Sequence, residues 1–200
     1  MPAQLSVSQL VQLRDDPAEL ARSIRRPVPR APAPLARQGT VFHTWLESRW
    51  GAPRLLDADE LPGSADAGAA PDRELSVLQE AFLASEWASR TPLEVEPPFE
   101  LLVAEVLVRG RADAVFATAD GGIDVIDWKT GRPPRNRTEE EVRAVQLAAY
   151  RLAFAKLWDL PVHSVGAAFH HVRENLTLRP VDLLGEAELE ALIRSVPPAE

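Results

Sequence analysis

The sequence predicts an α/β fold with a central mixed sheet flanked by helices, and two strand-like runs carry that prediction. Residues 123–129 form a largely apolar run rich in β-branched side chains, which is typical of a buried strand. Residues 110–116 form a second run, and the Ala-Asp-Gly-Gly sequence between the two predicts an antiparallel hairpin. Helical patterns lie on both sides of this hairpin, and a chain of 200 residues is expected to form one domain.

Helices are expected to dominate the first half of the chain. In the first helix, Leu10 and Leu13 fall on one stripe. In the second, Asp16 can cap the first turn and Pro17 fits the first helical position. The expected elements are helices over residues 6–15, 16–26, 35–50 and 72–90, an extended proline-rich arm over 27–34 and a low-complexity loop over 51–71.

The second half is expected to open with a meander of antiparallel strands. Thr138 and the three glutamates after it match a capping box, which predicts the start of a long helix. The expected strands cover residues 93–96, 99–109, 110–116, 123–129, 162–172 and 175–181, and the expected helices run from 138 to about 158 and from 186 to 196.

The composition excludes several classes of protein. The absence of cysteine rules out a disulfide framework, thiolate zinc and a Cys-ligated iron–sulfur cluster, and it suits a reducing cytoplasm. The sequence has no apolar run long enough to span a bilayer and no hydrophobic signal segment, so we expect a cytoplasmic protein without a membrane partner. A net charge of −8 argues against a generic nucleic-acid-binding surface, although Arg132, Arg135 and Arg137 form a local basic group.

Charged residues at the end of the central strand indicate a metal site. Side chains alternate along a strand, so Asp127 and Lys129 share a face. Asp113 lies on the preceding strand-like run, and the hairpin can bring the two carboxylates together. Because a buried charge must be paired or bind a metal, two carboxylates beside a lysine suggest a divalent-metal site.

Three further polar residues have an ordinary interpretation beside a functional one. His43 shares a helical stripe with Gly39 and Glu47, but a lone histidine on a mixed helix is more often a core or surface residue than a ligand. Gln146 and Tyr150 lie one helical turn apart. Their spacing fits two interpretations equally well: a pair that faces the site, or a polar pair that borders the core.

Four stretches of the sequence carry a resemblance to a known family. Their sequences are Gly-Thr-Val-Phe-His-Thr-Trp-Leu-Glu from position 39, Gly-Arg-Ala-Asp from 110, Val-Ile-Asp-Trp-Lys-Thr-Gly from 125 and Gln-Leu-Ala-Ala-Tyr from 146. In order and spacing they resemble the four motifs of the RecB-type nuclease domain of the PD-(D/E)xK superfamily, across nearly the whole chain. Ala112 departs from the superfamily name, which has proline there.

The resemblance implies a restriction-endonuclease-like fold and assigns roles to residues. The implied metal ligands are His43, Asp113, Asp127 and the backbone carbonyl of Trp128, with Lys129 orienting or deprotonating the attacking water. Asp113, Asp127 and Lys129 would form the catalytic set. The implied supporting and substrate-binding residues are Gln146, Tyr150 and Arg132, and Glu96 resembles a further acidic position of the family.

The resemblance also implies a setting. The Arg-Arg-Pro-Val-Pro-Arg arm and the lack of cysteine resemble the AdnAB, AddA and RecB branches most closely. In that setting, residues 1–200 would be the single nuclease domain of a larger helicase–nuclease that cuts mainly single-stranded DNA with Mg²⁺ or Mn²⁺ during double-strand break repair and recombination. Two alternatives remain open: a catalytically inactive DNA-end-binding or regulatory module with the same fold, and a structural domain with an incidental ion-pair cluster.

Overall fold

The computed structural model describes residues 3–25, 34–51 and 73–195. The helices are α1 (Val7–Asp15), α2 (Pro17–Arg25), α3 (Pro34–Arg49), α4 (Arg73–Leu83), α5 (Arg137–Leu157) and α6 (Glu186–Arg194). The strands are β1 (Gln4–Ser6), β2 (Glu94–Val95), β3 (Pro98–Val103), β4 (Val106–Arg111), β5 (Ala114–Ala117), β6 (Ile123–Lys129), β7 (Val165–His171) and β8 (Leu176–Leu178).

The strands form two sheets, both of them mixed. A three-stranded sheet has the order β1-β4-β3, with β1 parallel to β4. A five-stranded sheet has the order β2-β5-β6-β7-β8, and its central strand β6 is antiparallel to β5 and parallel to β7. Helices pack on both faces, so the predicted α/β architecture is confirmed. None of the helices in the described ranges is long and apolar enough to cross a membrane.

The two faces of β6 pack against different halves of the core. Ile123 and Val125 belong to the cluster that includes α5, while Ile126 and Trp128 belong to an aromatic cluster under α3 and α4. This alternation follows from the period of two in a strand. It places Asp127 on the α5 side, where the side chains of that helix can reach it.

The single strand predicted over residues 99–109 is wrong. That segment is two strands, β3 and β4, joined by a two-residue turn at Ala104 and Glu105 with φ of 51° and 62°. Positive φ at both central residues is the pattern of a type I′ turn, which usually uses glycine or asparagine. Because alanine and glutamate occupy this turn, the sequence did not indicate it, and the hairpin belongs to the smaller sheet.

The strand-like run 110–116 is also divided between the two sheets. β4 ends at Arg111 and β5 begins at Ala114. Asp113 therefore lies in the bend where the chain passes from one sheet to the other. The predicted hairpin between β5 and β6 is confirmed, with Ala117 paired to Ile123.

The helix predicted over 72–90 ends earlier, at Leu83, and a short 3-10 helix follows at Glu86–Ser89. Trp87 in that turn is fully buried in the aromatic cluster. In a continuous helix, Trp87 would lie about 140° around the axis from Phe82, away from the buried face. Burial of the large indole ring therefore explains the break.

The start of α5 also differs from the prediction. Asn136, rather than Thr138, is the N-cap, and its side chain accepts the N–H of Glu139 at 2.9 Å. Glu139 does not close a capping box, because its carboxylate binds Arg132 and the N–H of Arg135.

The remaining predicted elements agree in type and differ by a few residues at their ends. Ser6 caps α1 and Asp16 caps α2, accepting the N–H of Glu19 at 2.8 Å. The strands predicted over 162–172 and 175–181 are β7 and β8, both shorter than predicted. Most of the predicted proline-rich arm, residues 27–33, and the loop from residue 52 onward lie outside the described residues.

The β5–β6 connection makes one position intolerant of any side chain. A Cβ at Gly122 would overlap the backbone carbonyl oxygen of Ser164. We expect Gly122→Ala to lower the free energy of unfolding in urea by about 1–3 kcal/mol, as overpacking does. Gly131→Ala is the matched control, because a Cβ there meets nothing within 4 Å. Equal urea midpoints for the two variants would contradict this account.

Candidate metal centre

A cleft of about 290 Å³ opens where the two sheets meet. Its lining includes the side chains that the sequence singled out on three separate elements: His43 on α3, Asp127 and Lys129 on β6, and Gln146 and Tyr150 on α5. Asp113, in the bend between the sheets, lines it as well. The fold therefore gathers residues that are up to about a hundred positions apart in the sequence.

Three side chains, two of which line this cleft, form a compact cluster with metal-binding chemistry. One ligand atom each of His43, Glu96 and Asp113 lies within 4.8 Å of the others. Nδ1 of His43 is 3.5 Å from Asp113 Oδ1 and 3.8 Å from Glu96 Oε1. The other oxygen of Asp113 accepts the backbone N–H of Trp128 at 2.6 Å, which fixes the carboxylate against the central strand.

The backbone of Glu96 is held in an unusual conformation. Its φ is +53°, in the left-handed region that non-glycine residues rarely occupy. Its N–H donates to the carbonyl of Asp113 at 2.9 Å, so the same contact that fixes this conformation ties Glu96 to another member of the cluster. Strain of this kind tends to persist where it aims a functional side chain.

Asp127 lies beneath the cluster, 3% exposed, in a network with two residues of α5. Its Oδ1 accepts from Gln146 Nε2 at 2.6 Å and lies 3.1 Å from the hydroxyl of Tyr150. That hydroxyl also lies 3.0 Å from the carbonyl oxygen of Arg111 and accepts from Gln146. Gln146 and Tyr150 both line the cleft, and Tyr150 is also a buried member of the core, 2% exposed.

Lys129 contacts the second oxygen of Asp127. Its Nζ is 2.6 Å from Asp127 Oδ2 and donates to Gln146 Oε1 at 3.1 Å. The angle of the Asp127 contact does not make a hydrogen bond, and Oδ2 has no hydrogen-bond partner in the described residues. The ammonium also lies 5.0 Å from the ring centre of Phe169. Lys129 is thus held at the mouth of the cleft with its charge against a carboxylate.

The acidic surroundings change the protonation of the cluster. Burial alone lowers the pKa of His43, but Asp113, Glu96 and Asp127 outweigh it and raise this pKa to about 9. Burial raises the pKa of Asp113 to about 7, against the opposing effect of His43. Burial and the neighbouring Asp127 and Asp113 raise the pKa of Tyr150 further above its ordinary value, which keeps its hydroxyl protonated.

Arg132, expected to contact substrate, is engaged elsewhere. Its Nη1 donates to Glu139 at 2.9 Å and to the carbonyl of Pro133 at 3.0 Å. It is not among the residues that line the cleft within the described ranges. The cleft also receives Ser6, Val7 and Ser8 at the start of α1, which the sequence did not mark as part of the site, and it includes Arg109, Gly110 and Arg111 of β4.

Comparison with protein families identifies the chain. The model of the PD-(D/E)XK nuclease superfamily matches residues 4–196. The chain belongs to this superfamily. No curated protein matches it. A solved structure titled "Crystal structure of SSO0001" is similar at 20% identity, over 98% of this chain and 76% of that chain, with a TM-score of 0.46.

The residues of this PD-(D/E)XK domain fit a divalent cation. The clustered donors are carboxylate oxygens and one imidazole nitrogen, which suit Mg²⁺ and, with the imidazole, Mn²⁺ in particular. Oδ2 of Asp127 adds a buried carboxylate oxygen without a hydrogen-bond partner in the described residues. The carboxylates of Glu96, Asp113 and Asp127 outnumber the one ammonium beside them, that of Lys129, so a bound cation would offset the remaining charge when His43 is neutral.

The protonation of the cluster makes cation binding depend on pH. The imidazolium of His43 and the protonated carboxyl of Asp113 both exclude a cation, and the pKa values of about 9 and about 7 place these protons on the residues near neutrality. We therefore expect Mn²⁺ affinity, measured by calorimetry, to rise from pH 6 to pH 9 with proton release. In His43→Gln fewer protons should be released per Mn²⁺ bound, because only the proton of Asp113 remains to be displaced. A wild-type affinity that does not change with pH would contradict this prediction.

Proposed function

We propose that this PD-(D/E)XK domain is a metal-dependent deoxyribonuclease that hydrolyses phosphodiester bonds, mainly of single-stranded DNA. The observation that carries the proposal is that His43 and Asp113 line one cleft with Asp127 and Lys129. A carboxylate oxygen of Glu96 lies within 4.8 Å of the ligand atoms of His43 and Asp113. Members of a nuclease superfamily need such a set, because hydrolysis of a phosphodiester requires a positioned water and positive charge near the phosphate.

The proposed roles follow from the contacts. His43, Asp113 and Asp127 would hold the cation, together with the carbonyl of Trp128, and Glu96 extends this donor set. A bound Mg²⁺ or Mn²⁺ supplies Lewis-acid stabilisation of charge on the phosphate and a lower pKa for water. Lys129 supplies a further positive charge and N–H donors at the place where the attacking water is expected.

Gln146 and Tyr150 act on the site through Asp127. Both contact Oδ1 of Asp127, which fixes the carboxylate, while Oδ2 contacts Lys129 and would be the oxygen available to hold a cation. Such outer contacts typically change metal affinity or activity by about 10–100-fold when they are removed. We propose that Gln146 and Tyr150 also border the substrate strand, since both line the cleft.

The proposal extends to the setting of the reaction. The lack of cysteine and the Arg-Arg-Pro-Val-Pro-Arg arm resemble the AdnAB, AddA and RecB branches. We therefore propose that this domain works beside a helicase motor that delivers single-stranded DNA during double-strand break repair. A net charge of −8 supports this dependence, because a chain that is acidic overall is expected to bind DNA weakly on its own. The cytoplasm is the proposed location, which suits a chain without cysteine.

Cleavage of a labelled single-stranded oligonucleotide tests the proposal. Wild-type chain is incubated with Mn²⁺, Mg²⁺ or EDTA, and matched single-stranded, duplex and RNA substrates are compared. We expect cleavage with either cation and none in EDTA, with single-stranded DNA cut fastest. DNA binding without cleavage under any of these conditions would favour an inactive DNA-end-binding module instead.

A further inference from the structure

A basic strip borders the metal cluster within the same cleft. Arg109 and Arg111 both line the cleft, and they lie two residues apart on β4. Alternate residues of a strand point to one face, so the two guanidinium groups share a side. The residues between and before them, Gly110 and Val108, point to the packed face of the sheet. We call Arg109 and Arg111 the arginine strip.

The arginine strip keeps hydrogen-bonding capacity for a ligand. Nε of Arg109 lies 2.8 Å from Glu100 Oε1, and its Nη1 donates to Gln4 at 3.2 Å. Nε of Arg111 lies 3.9 Å from Glu96 Oε2. The side chains of Arg109 and Arg111 are 54% and 42% exposed, respectively. Each guanidinium carries five N–H donors, so these contacts leave several donors facing the cleft or solvent.

Sheet pairing holds the strip in place. β1 runs parallel to β4, with Ser6 directly opposite Arg109. Val7 and Ser8, which follow Ser6, line the cleft beside the arginines. The strip therefore stands on a sheet strand braced by a second strand, and it lies next to Glu96 of the metal cluster. Rigid elements of this kind suit a binding surface better than a loop does.

We propose that Arg109 and Arg111 bind backbone phosphates of the DNA strand whose scissile linkage lies at the His43, Glu96 and Asp113 cluster. The inference rests on the proposed nuclease function. Two residues of an extended strand span about 6.8 Å, so each guanidinium can contact a different phosphate. Arg111, nearer the cluster, positions the phosphate adjoining the scissile one, and Arg109 binds the phosphate beyond it. Planar guanidinium forks match phosphate oxygens and recognise no base, which fits cutting without sequence preference.

Binding measurements test the strip without relying on cleavage. The anisotropy of a fluorescein-labelled oligothymidylate is measured with the whole 200-residue chain in EDTA, and again in Ca²⁺, over a salt series. We expect Arg109→Gln and Arg111→Gln each to weaken binding about tenfold. Each should also reduce the slope of log affinity against log salt by about 0.7, the value for one phosphate contact on a single strand.

Control variants separate phosphate contact from structure. Arg173→Gln removes another exposed arginine, which pairs with Glu74 outside the cleft, and should leave both binding and salt slope unchanged. Arg111→Lys keeps the charge without the fork and should retain part of the affinity. Unchanged melting temperatures confirm that the arginine variants are folded. If Arg111→Gln does not fold, Arg109→Gln and Arg111→Lys carry the test.

One further variant is expected to strengthen DNA binding rather than weaken it. Glu100 competes with DNA for Arg109, to which it lies 2.8 Å away. Glu100→Gln should therefore tighten binding about two- to threefold, as expected for one screened surface charge. This gain should disappear when Arg109→Gln is combined with it. A purely structural Arg109–Glu100 pair would give no gain.

The outcomes distinguish the strip from the nuclease function. If the arginine variants bind and cleave DNA as well as the wild type, phosphate binding by the arginine strip is wrong and the nuclease function stands. If the wild type binds DNA through both arginines and never cleaves it, the nuclease function is wrong and the arginine strip is a phosphate-binding surface of a DNA-binding module. Absence of oligonucleotide binding in both EDTA and Ca²⁺ overturns the strip.

Discussion

Replacing Asp127 with asparagine is expected to abolish metal-dependent cleavage. The asparagine side chain keeps the oxygen that accepts from Gln146 and has nearly the same volume as aspartate, so the fold should survive. It loses the negative charge of the carboxylate, and with it Oδ2, the oxygen that has no hydrogen-bond partner in the described residues. Removing an outer partner of a metal ligand typically lowers metal affinity or activity by about 10–100-fold, and we expect the decrease in Asp127→Asn to be larger. Single-turnover cleavage with Mn²⁺ and calorimetric Mn²⁺ binding should both fall.

The control for this variant is Asp159→Asn, which makes the same chemical change at an exposed residue between α5 and β7. Its cleavage and Mn²⁺ affinity should equal those of the wild type. If Asp127→Asn is folded and binds Mn²⁺ as tightly as the wild type, Asp127 is not a ligand. The donor set would then shrink to His43, Glu96 and Asp113.

The sequence predicted the part of the site that depends on local pattern. Asp127 and Lys129 share a face because of the period of a strand, and the Ala-Asp-Gly-Gly turn brings Asp113 toward them. Gln146 and Tyr150 share a helix face because they lie four residues apart. Each of these relations involves one strand, one hairpin or one helix turn, and the structure places all five residues at one cleft.

The rest of the site depends on tertiary structure that no local pattern encodes. Glu96 reaches the cluster through a backbone conformation with φ of +53°, which its sequence context does not favour. Ser6 reaches the cleft because β1 pairs in parallel with β4 about a hundred residues later. The Ala104 and Glu105 turn, which creates that smaller sheet, lacks the residues that usually mark such turns. These contacts are set by packing between distant segments.

Replacing Lys129 with methionine is expected to separate catalysis from metal binding. Methionine retains the length and apolar stem that pack near Phe169 but removes the ammonium 2.6 Å from Asp127 Oδ2. If Lys129 orients or deprotonates the attacking water, cleavage should fall by about 10²–10⁴-fold, the usual contribution of a positioned acid or base. Mn²⁺ affinity should stay equal or increase, because the variant removes a positive charge that competes for Asp127.

Lys156→Met is the matched control, since Lys156 is the other lysine of the chain and pairs with Glu186 on the surface. It should cleave at the wild-type rate. The contrast with Asp127→Asn carries the argument: loss of a ligand lowers both affinity and rate, whereas loss of Lys129 lowers the rate alone. A Lys129→Met protein that loses Mn²⁺ binding in parallel with cleavage would show that the ammonium serves mainly to hold Asp127 in place, and the proposed role at the water would be wrong.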